Sequence, residues 1–598
     1  MKRPRESNDG GCGGDRCYEL MRVQHGHIDL LCDETLAEVF TLLDVRALGR
    51  VTCTCRRWRD VASEAWKRLH RAHFGGRCAA EDWRAAYVAD YRQCTERKSN
   101  YDKMKWAIGG NHLAYARSLP VQALRDVGNG AVASSTGWTP MFEACACDRD
   151  EFVRWLLQSG VRTDVVLRGS VAGATVLYVA CQNGSLRSAE LLIQAGADLE
   201  ARSPDGATPL YIACQKGHAS VAKLLLQSGA NVHAKLTARD AGGATPLYVA
   251  CSVGHVDLAE MMLDGGADID AALTAGPAPG ATSLYVASAQ GHDALVELLL
   301  RRGADIRTCL SGGNSPGATP LYIAAQMGFI SIVKLLARNG LDVGRALSGG
   351  TYVGACPLYI AAASNKPEVV WALLDLGAPI EQALAGPYSG TTALYISAQR
   401  GYLEMVDLLL RRGANIENGF TAGEASGASP LYVAASQGHA QVVELLLARG
   451  ANPDACLTSG AAGATALYIA AQCGHLAVAR VLLKAGANTE ACLTEHAASP
   501  GATAAYIASQ FGRTEVLQLL LASGSNPNAR LPICGFTPLH IAARNGTAGC
   551  VAALLAAGAD RDIKNNDGQT ALVVARASGH SDVCKLLAVS QPWSCTIS

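Results

Sequence analysis

The sequence has no run of about 18 apolar residues, which leaves no candidate for a membrane-spanning helix. It also lacks an excess of charge of either sign, with 52 Lys and Arg against 52 Asp and Glu. No global basic field therefore draws it to nucleic acid or to an acidic membrane. Residues 1–105 hold 20 basic and 16 acidic side chains and the remainder 32 and 36; these imbalances are too small to imply a polyanion partner. The start, MKRPRESNDGG, is polar and Gly-rich and does not read as a signal peptide. Lys2-Arg3-Pro4-Arg5 reads as a solvated basic terminus in preference to a nuclear signal. Cysteine is plentiful, at 21, but a chain of 598 residues without a signal peptide is not a disulfide scaffold. Reduced thiols in the cytosol, the nucleus or both are expected.

Catalytic and metal chemistry are missing as well. Cys53 and Cys55 form a close pair, as do Cys145 and Cys147, but no second pair or His set completes a zinc site. His25 and His27 read as part of a tail. The Gly-rich stretches lack the Gly-Lys-Ser/Thr of a phosphate-binding loop. No nucleophile, base and orienting group can be assembled from unique residues. The reading is of a protein with no catalytic residues, no metal and no cofactor.

What is present is repetition. The phrase T-P-L-Y-[IV]-A, or a close variant, marks thirteen positions: Thr139, Thr175, Thr208, Thr245, Thr282, Thr319, Cys356, Thr392, Ser429, Thr465, Thr503, Thr537 and Thr570. Such self-similarity signals stacked supersecondary units. In the unit from Thr208, Thr caps a short helix that starts at Pro209. Gly217 stops that helix. After His218 a second helix carries Val221, Leu224 and Leu225 at helical spacing. Gly229 ends it, and Ala230-Asn231-Val232 leads through a turn-rich stretch to the next Thr-Pro. Neither helix is long enough to stand alone. Stacking must bury what each unit leaves exposed. The fold class expected is all-α, a solenoid with short hairpin-like loops.

This pattern resembles the ankyrin repeat over residues 136–589, about 13 repeats. One departure is systematic. The His that follows T-P-L in that family occurs only at His540, and Tyr178, Tyr211, Tyr248, Tyr285, Tyr322, Tyr359, Tyr395, Tyr432, Tyr468 and Tyr506 take its place in ten other units. A ladder of rings packed between repeats, each hydroxyl bonded locally, is favoured over a line of contact aromatics. Cys181, Cys214 and Cys251 share one position and read as small core residues. His218, His255, His292, His439, His475 and His580 recur at the Gly-His turn and read as architecture.

Most central units are longer than the 33 residues usual for the family, and the surplus lies between the Gly-Ala-Asp/Asn end and the next Thr. It lengthens the hairpin loop into a finger on one face. The finger base is constant, as in Ala272-Leu273, Cys309-Leu310 and Cys456-Leu457, which suggests packing. The tips vary: Arg239, Asp240, Pro277, Asn314, Tyr352, Tyr388, Glu424, Glu495 and His496. Variable tips fit recognition of a target or simple drift, and both readings stay open. Two turns break the Gly-His rule, Cys147-Asp148-Arg149-Asp150 and Asn365-Lys366-Pro367.

The N-terminal part differs in kind. Residues 1–26 read as a disordered tail and 27–73 as a small helical module. Asp33 caps a helix bearing Leu36, Val39, Phe40 and Leu43, and Val51, Cys55, Trp58 and Val61 mark a later one. Leu30-Leu31, Asp33-Glu34, Val39-Phe40, Leu43-Asp44 and Cys55-Arg56-Arg57-Trp58 resemble an F-box, with Leu31-Cys32 where that family has Leu-Pro. The resemblance implies docking onto a Skp-type adaptor and, through it, a cullin. Leu30, Leu31, Leu36, Phe40, Leu48 and Trp58 would make or support that contact. Residues 74–102, with Trp83, Tyr87 and Tyr91 at helical spacing, read as a linker helix. Residues 103–135 read as a worn capping repeat and 590–598 as a tail. The resemblances together imply the substrate receptor of a ubiquitin ligase, a monomer within that complex. The alternative is an ankyrin scaffold with no ubiquitin role.

Overall fold

In the computed structural model, the described residues are 100–109, 113, 138–167, 173–238, 241–495 and 497–588. The expected tail, F-box-like module and most of the linker, residues 1–99, lie outside them, as do 589–598. The described part holds 27 α-helices and no strands, only isolated bridges such as Cys456 with Thr465. The fold is an ankyrin-repeat solenoid.

The repeated phrase starts helices as its chemistry requires. The Thr208 hydroxyl accepts from the Tyr211 amide at 3.3 Å, and Pro209 supplies a first residue that needs no amide partner. Ser429 does the same for Tyr432, and the Cys356 thiol for Tyr359. Gly217 closes the helix at φ +80, and the His218 amide reaches back to the Ala213 carbonyl at 2.9 Å. A nine-residue outer helix follows, Ala219–Gln227, which buries Val221, Ala222 and Leu225. Helices of eight or nine residues are marginal in isolation. A fully buried Leu such as Leu225, Leu299 or Leu409 contributes about 1.5–3 kcal/mol each, and those contacts exist only between stacked elements.

The two irregular turns keep this geometry. Asp148 and Asn365 adopt φ +51 and +54, the only non-Gly residues with positive φ among the described residues. Asp and Asn enter this region more readily than other side chains. The Lys366 amide reaches the Ala361 carbonyl at 2.9 Å, the same closing bond that Gly turns make. Pro367 then opens the outer helix Pro367–Asp375. The Asn365 irregularity is a substituted turn, not a break.

The chain divides into two compact units between Asp268 and Ile269. In the first, helix Asn100–Gly109 packs against Pro140–Ala146 and buries Met104 and Ile108. This helix straddles the expected boundary between linker and worn repeat. Inner helices of successive repeats then pack in order, Val176–Asn183 on Pro209–Lys216 and that on Pro246–Val253. The second unit stacks its inner helices likewise from Ser283–Gln290 to Ala571–Ala577.

The fingers stand side by side. Within one, the Leu310 amide donates to Ala318 and the Gly317 amide to Leu310. Between fingers of the second unit, the Ser311 amide donates to Pro279, Ser348 to Pro316, Ala385 to Val353, Thr421 to Ser389, Thr458 to Ser426 and Thr494 to Ala462, at 2.7–3.1 Å. The finger-base leucines Leu273, Leu310, Leu347, Leu384 and Leu457 are all buried, as a constant base requires.

Candidate functional site

The strongest candidate site is an open hollow of about 740 Å³ in the second compact unit. Its floor comes from three neighbouring inner helices, Pro320–Met327, Pro357–Ala363 and Ala393–Arg400, through Gln326, Tyr359, Tyr395 and Gln399. Its wall comes from three fingers, through Tyr352, Tyr388, Thr391 and Phe420. The rings of Tyr352 and Tyr388 stack with centroids 5.8 Å apart and 23° between planes. Tyr395 and Phe420 stack at 6.5 Å and 26°. Tyr402 and Arg400 complete the lining at the turn. The paired rings hold each other in place, so contact with them orders few rotors.

Thr391 ties floor to wall. Its hydroxyl donates to the Tyr388 carbonyl at 2.9 Å, and its proximity to the Tyr359 phenol lowers that group's pKa against the effect of burial. Most other fingers place Ala here, as at Ala318, Ala355 and Ala428.

The charge of the hollow is of one sign. Burial pushes the Tyr359 hydroxyl up to about 12, against the lowering effect of Thr391 and Arg400, and burial likewise pushes Tyr395 up to about 12. Both are neutral at physiological pH. No Asp or Glu lines the hollow, and Arg400 makes no ion pair among the described residues. A second cation about 6 Å from Arg400 would cost about 3 kcal/mol at an effective dielectric of about 20, and roughly half that at physiological salt. An exposed cation–aromatic contact returns only about 0.5–1 kcal/mol. The part of the hollow beside Arg400 therefore disfavours a second cation despite its rings.

The structure brings two of the expected tip residues, Tyr352 and Tyr388, into one site. Asn314, Glu424 and Glu495 are exposed on their own fingers and do not line the hollow. Arg239, Asp240 and His496 lie outside the described residues, as do the adaptor-contact candidates Leu30, Leu31, Leu36, Phe40, Leu48 and Trp58. Tyr395 reads in the sequence with the other repeated tyrosines, for which packing is favoured over a contact role, and Tyr402, Phe420, Thr391 and Arg400 are not singled out there as site residues. Three of them carried a signal: Tyr402 stands where other units have His, Phe420 where others have Leu, and Thr391 where others have Ala.

The turn histidines are architectural. His218 Nε2 lies 3.1 Å from the Gln182 carbonyl, His439 Nε2 3.1 Å from Gln399 and His580 Nε2 3.0 Å from Arg544, each one repeat earlier. Cys181, Cys214 and Cys251 are buried, and burial pushes the Cys214 thiol up to about 12. Among the described residues no group of three or more His, Cys, Asp or Glu could hold a metal ion, and no helix is long and apolar enough to cross a membrane.

Comparison with known proteins agrees with this architecture. A model described as ankyrin repeats (3 copies) matches residues 177–273, 233–309, 284–383, 358–455, 418–492 and 505–595, more than half of the chain. A model described as F-box-like matches residues 28–72. No curated protein matches the chain. Among solved structures, the human ASB11 ankyrin repeat domain is 29% identical, with 40% of this chain and 99% of that chain covered and a TM-score of 0.35. The chain thus belongs to the ankyrin-repeat family, and an F-box-like domain at residues 28–72 precedes repeats that run through residue 595.

Proposed function

We propose that this chain is the substrate-recognition subunit of a cullin-type ubiquitin ligase. Residues 28–72 dock onto a Skp-type adaptor, which brings the cullin, and the ankyrin repeats hold the target protein. The observation that carries this reading is the order of modules: an F-box-like domain followed by a long array of recognition repeats. The hollow supports it, because neutral tyrosines around one arginine form a contact surface and not a proton-transfer site. Bond-making chemistry then belongs to partner subunits. The complex works in the cytosol, the nucleus or both, with this chain as one copy.

Co-purification tests the proposal. The full chain, expressed with a Skp-type adaptor and a cullin, is expected to retain both. Phe40→Ala with Trp58→Ala, or removal of residues 27–73, is expected to release both while target binding persists. If the intact chain captures neither adaptor nor cullin, the ligase role is wrong and the repeats serve as a scaffold. The Cys32 that stands in place of proline makes this comparison informative, and Cys32→Pro is expected to strengthen adaptor capture.

A further inference from the structure

We infer that the tyrosine-lined hollow binds an extended internal segment of its partner, with an Asp or Glu side chain on Arg400 and an apolar or aromatic neighbour against the Tyr352–Tyr388 stack. The inference rests on the reading of the array as a target-binding surface.

Three observations commit the occupant. The first is charge. Arg400 is exposed at the end of helix Ala393–Arg400 and makes no ion pair among the described residues. No carboxylate lines the hollow to neutralise it. Glu424, on the adjoining finger, is exposed at the tip and does not line it. A guanidinium flanked by neutral phenols is complementary to a carboxylate, which it can grip with two parallel hydrogen bonds.

The second is extent. The hollow crosses three inner helices. At about 8–10 Å between neighbouring axes, they span roughly 20 Å. That is the length of about six extended residues. A strand-like segment fits this run better than a compact ligand, and an internal segment can enter and leave along it. The third is the apolar share of the lining. Tyr352 and Tyr388 are 46% and 42% exposed, yet stacked on each other, and Phe420, stacked on Tyr395, adds a further ring to the lining. Exposed rings already held in one orientation are suited to receiving an apolar side chain.

The test uses the purified full chain and a phage-displayed library of random twelve-residue peptides with fixed flanks at both ends. The leading sequence is then made as a fluorescein-labelled peptide, amidated at its C-terminus, and titrated by anisotropy. Selected sequences are expected to share Asp or Glu beside an aromatic or aliphatic residue. Arg400→Gln is expected to weaken the leading peptide about 10- to 100-fold, as does replacing the peptide's acid by its amide, and the two changes together cost no more than either alone. Tyr388→Ala, with circular dichroism to verify folding, is expected to weaken binding while the acid preference stays.

Selection of basic peptides, of apolar peptides without an acid, or of none overturns the inference. So does binding that Arg400→Gln leaves unchanged. A peptide that binds only with a free C-terminus overturns the internal-segment assignment. Peptide binding without adaptor capture would remove the ligase role and leave this inference standing. Adaptor capture without peptide selection would do the reverse.

Discussion

The ring of His475 lies over Gly438 of the preceding repeat: a Cβ built on that glycine would meet the imidazole at 2.9 Å. The same ring places Nε2 3.1 Å from the Ser436 carbonyl, so it donates there. Gly438 is thus held by two separate demands, a left-handed backbone at φ +83 and a bare α-carbon under the next repeat's histidine. Gly450, at φ +93, meets only the first, because a Cβ there faces open space.

That difference separates strain from stacking. Gly450→Ala is expected to cost about 1–2 kcal/mol, the penalty of a left-handed L-residue. Gly438→Ala is expected to cost about 1 kcal/mol more, since it also displaces His475 and its hydrogen bond. Urea unfolding of both variants checks this, and equal losses would show that the ring contact contributes nothing.

Asn365 and Tyr402 occupy the same two places as Gly438 and His475, one preceding the other by one repeat. In Gly-His pairs such as Gly401 with His439, a Cβ on the first residue would come within 2.6 Å of the ring. Tyr402→His alone is therefore expected to bring little stability. Asn365→Gly combined with Tyr402→His is expected to recover the ring-to-carbonyl bond, here to Ala363, and to add about 1 kcal/mol beyond the sum of the single changes. Simple additivity in a double-mutant cycle would refute the matching of these two residues.

Burial pushes Tyr211, Tyr285, Tyr359, Tyr395, Tyr468 and Tyr506 up to about 12. Their folded-state values are raised above the ordinary tyrosine value near 10. The neutral ring is favoured in the fold, so its stabilisation is complete below about pH 10 and is lost as pH rises toward 12. Absorbance of tyrosinate is expected to lag behind free tyrosine and then rise together with loss of helical signal. Ordinary titration near pH 10 with the helices intact would contradict the buried ladder.

His540 behaves in the opposite sense. Burial lowers its pKa, with a smaller lowering from Arg530 and a raising effect from the Gln569 carbonyl that Nε2 contacts at 3.0 Å. The unfolded state then binds the proton first. Stability is present above about pH 6.5 and falls as pH drops through the lowered folded value. His540→Tyr, the residue found at this place in ten other repeats, is expected to flatten the stability-against-pH curve in that window. Calorimetry from pH 7.5 to 5 measures it; an unchanged slope would assign the acid sensitivity elsewhere.

The repeat itself was legible because its causes are local. A capping Thr, a first-turn Pro and a left-handed Gly act within a few residues, so the sequence alone determined the register from Thr139 to Thr570, the helix pairs, the core role of Leu225 and its equivalents, and the architectural role of the turn histidines. The substituted turn at Asn365 was visible as an oddity, but its retained closing bond was not, since that depends on backbone angles. Tyr352 and Tyr388 stood out only as variable tips. Their stacking, their union with Tyr359 and Tyr395 from separate inner helices, and the placing of Arg400 in a lining that holds no carboxylate were decided by tertiary structure. These residues come from neighbouring repeats, and what they form depends on how one finger lies against the next, a relation that spacing along the chain does not encode.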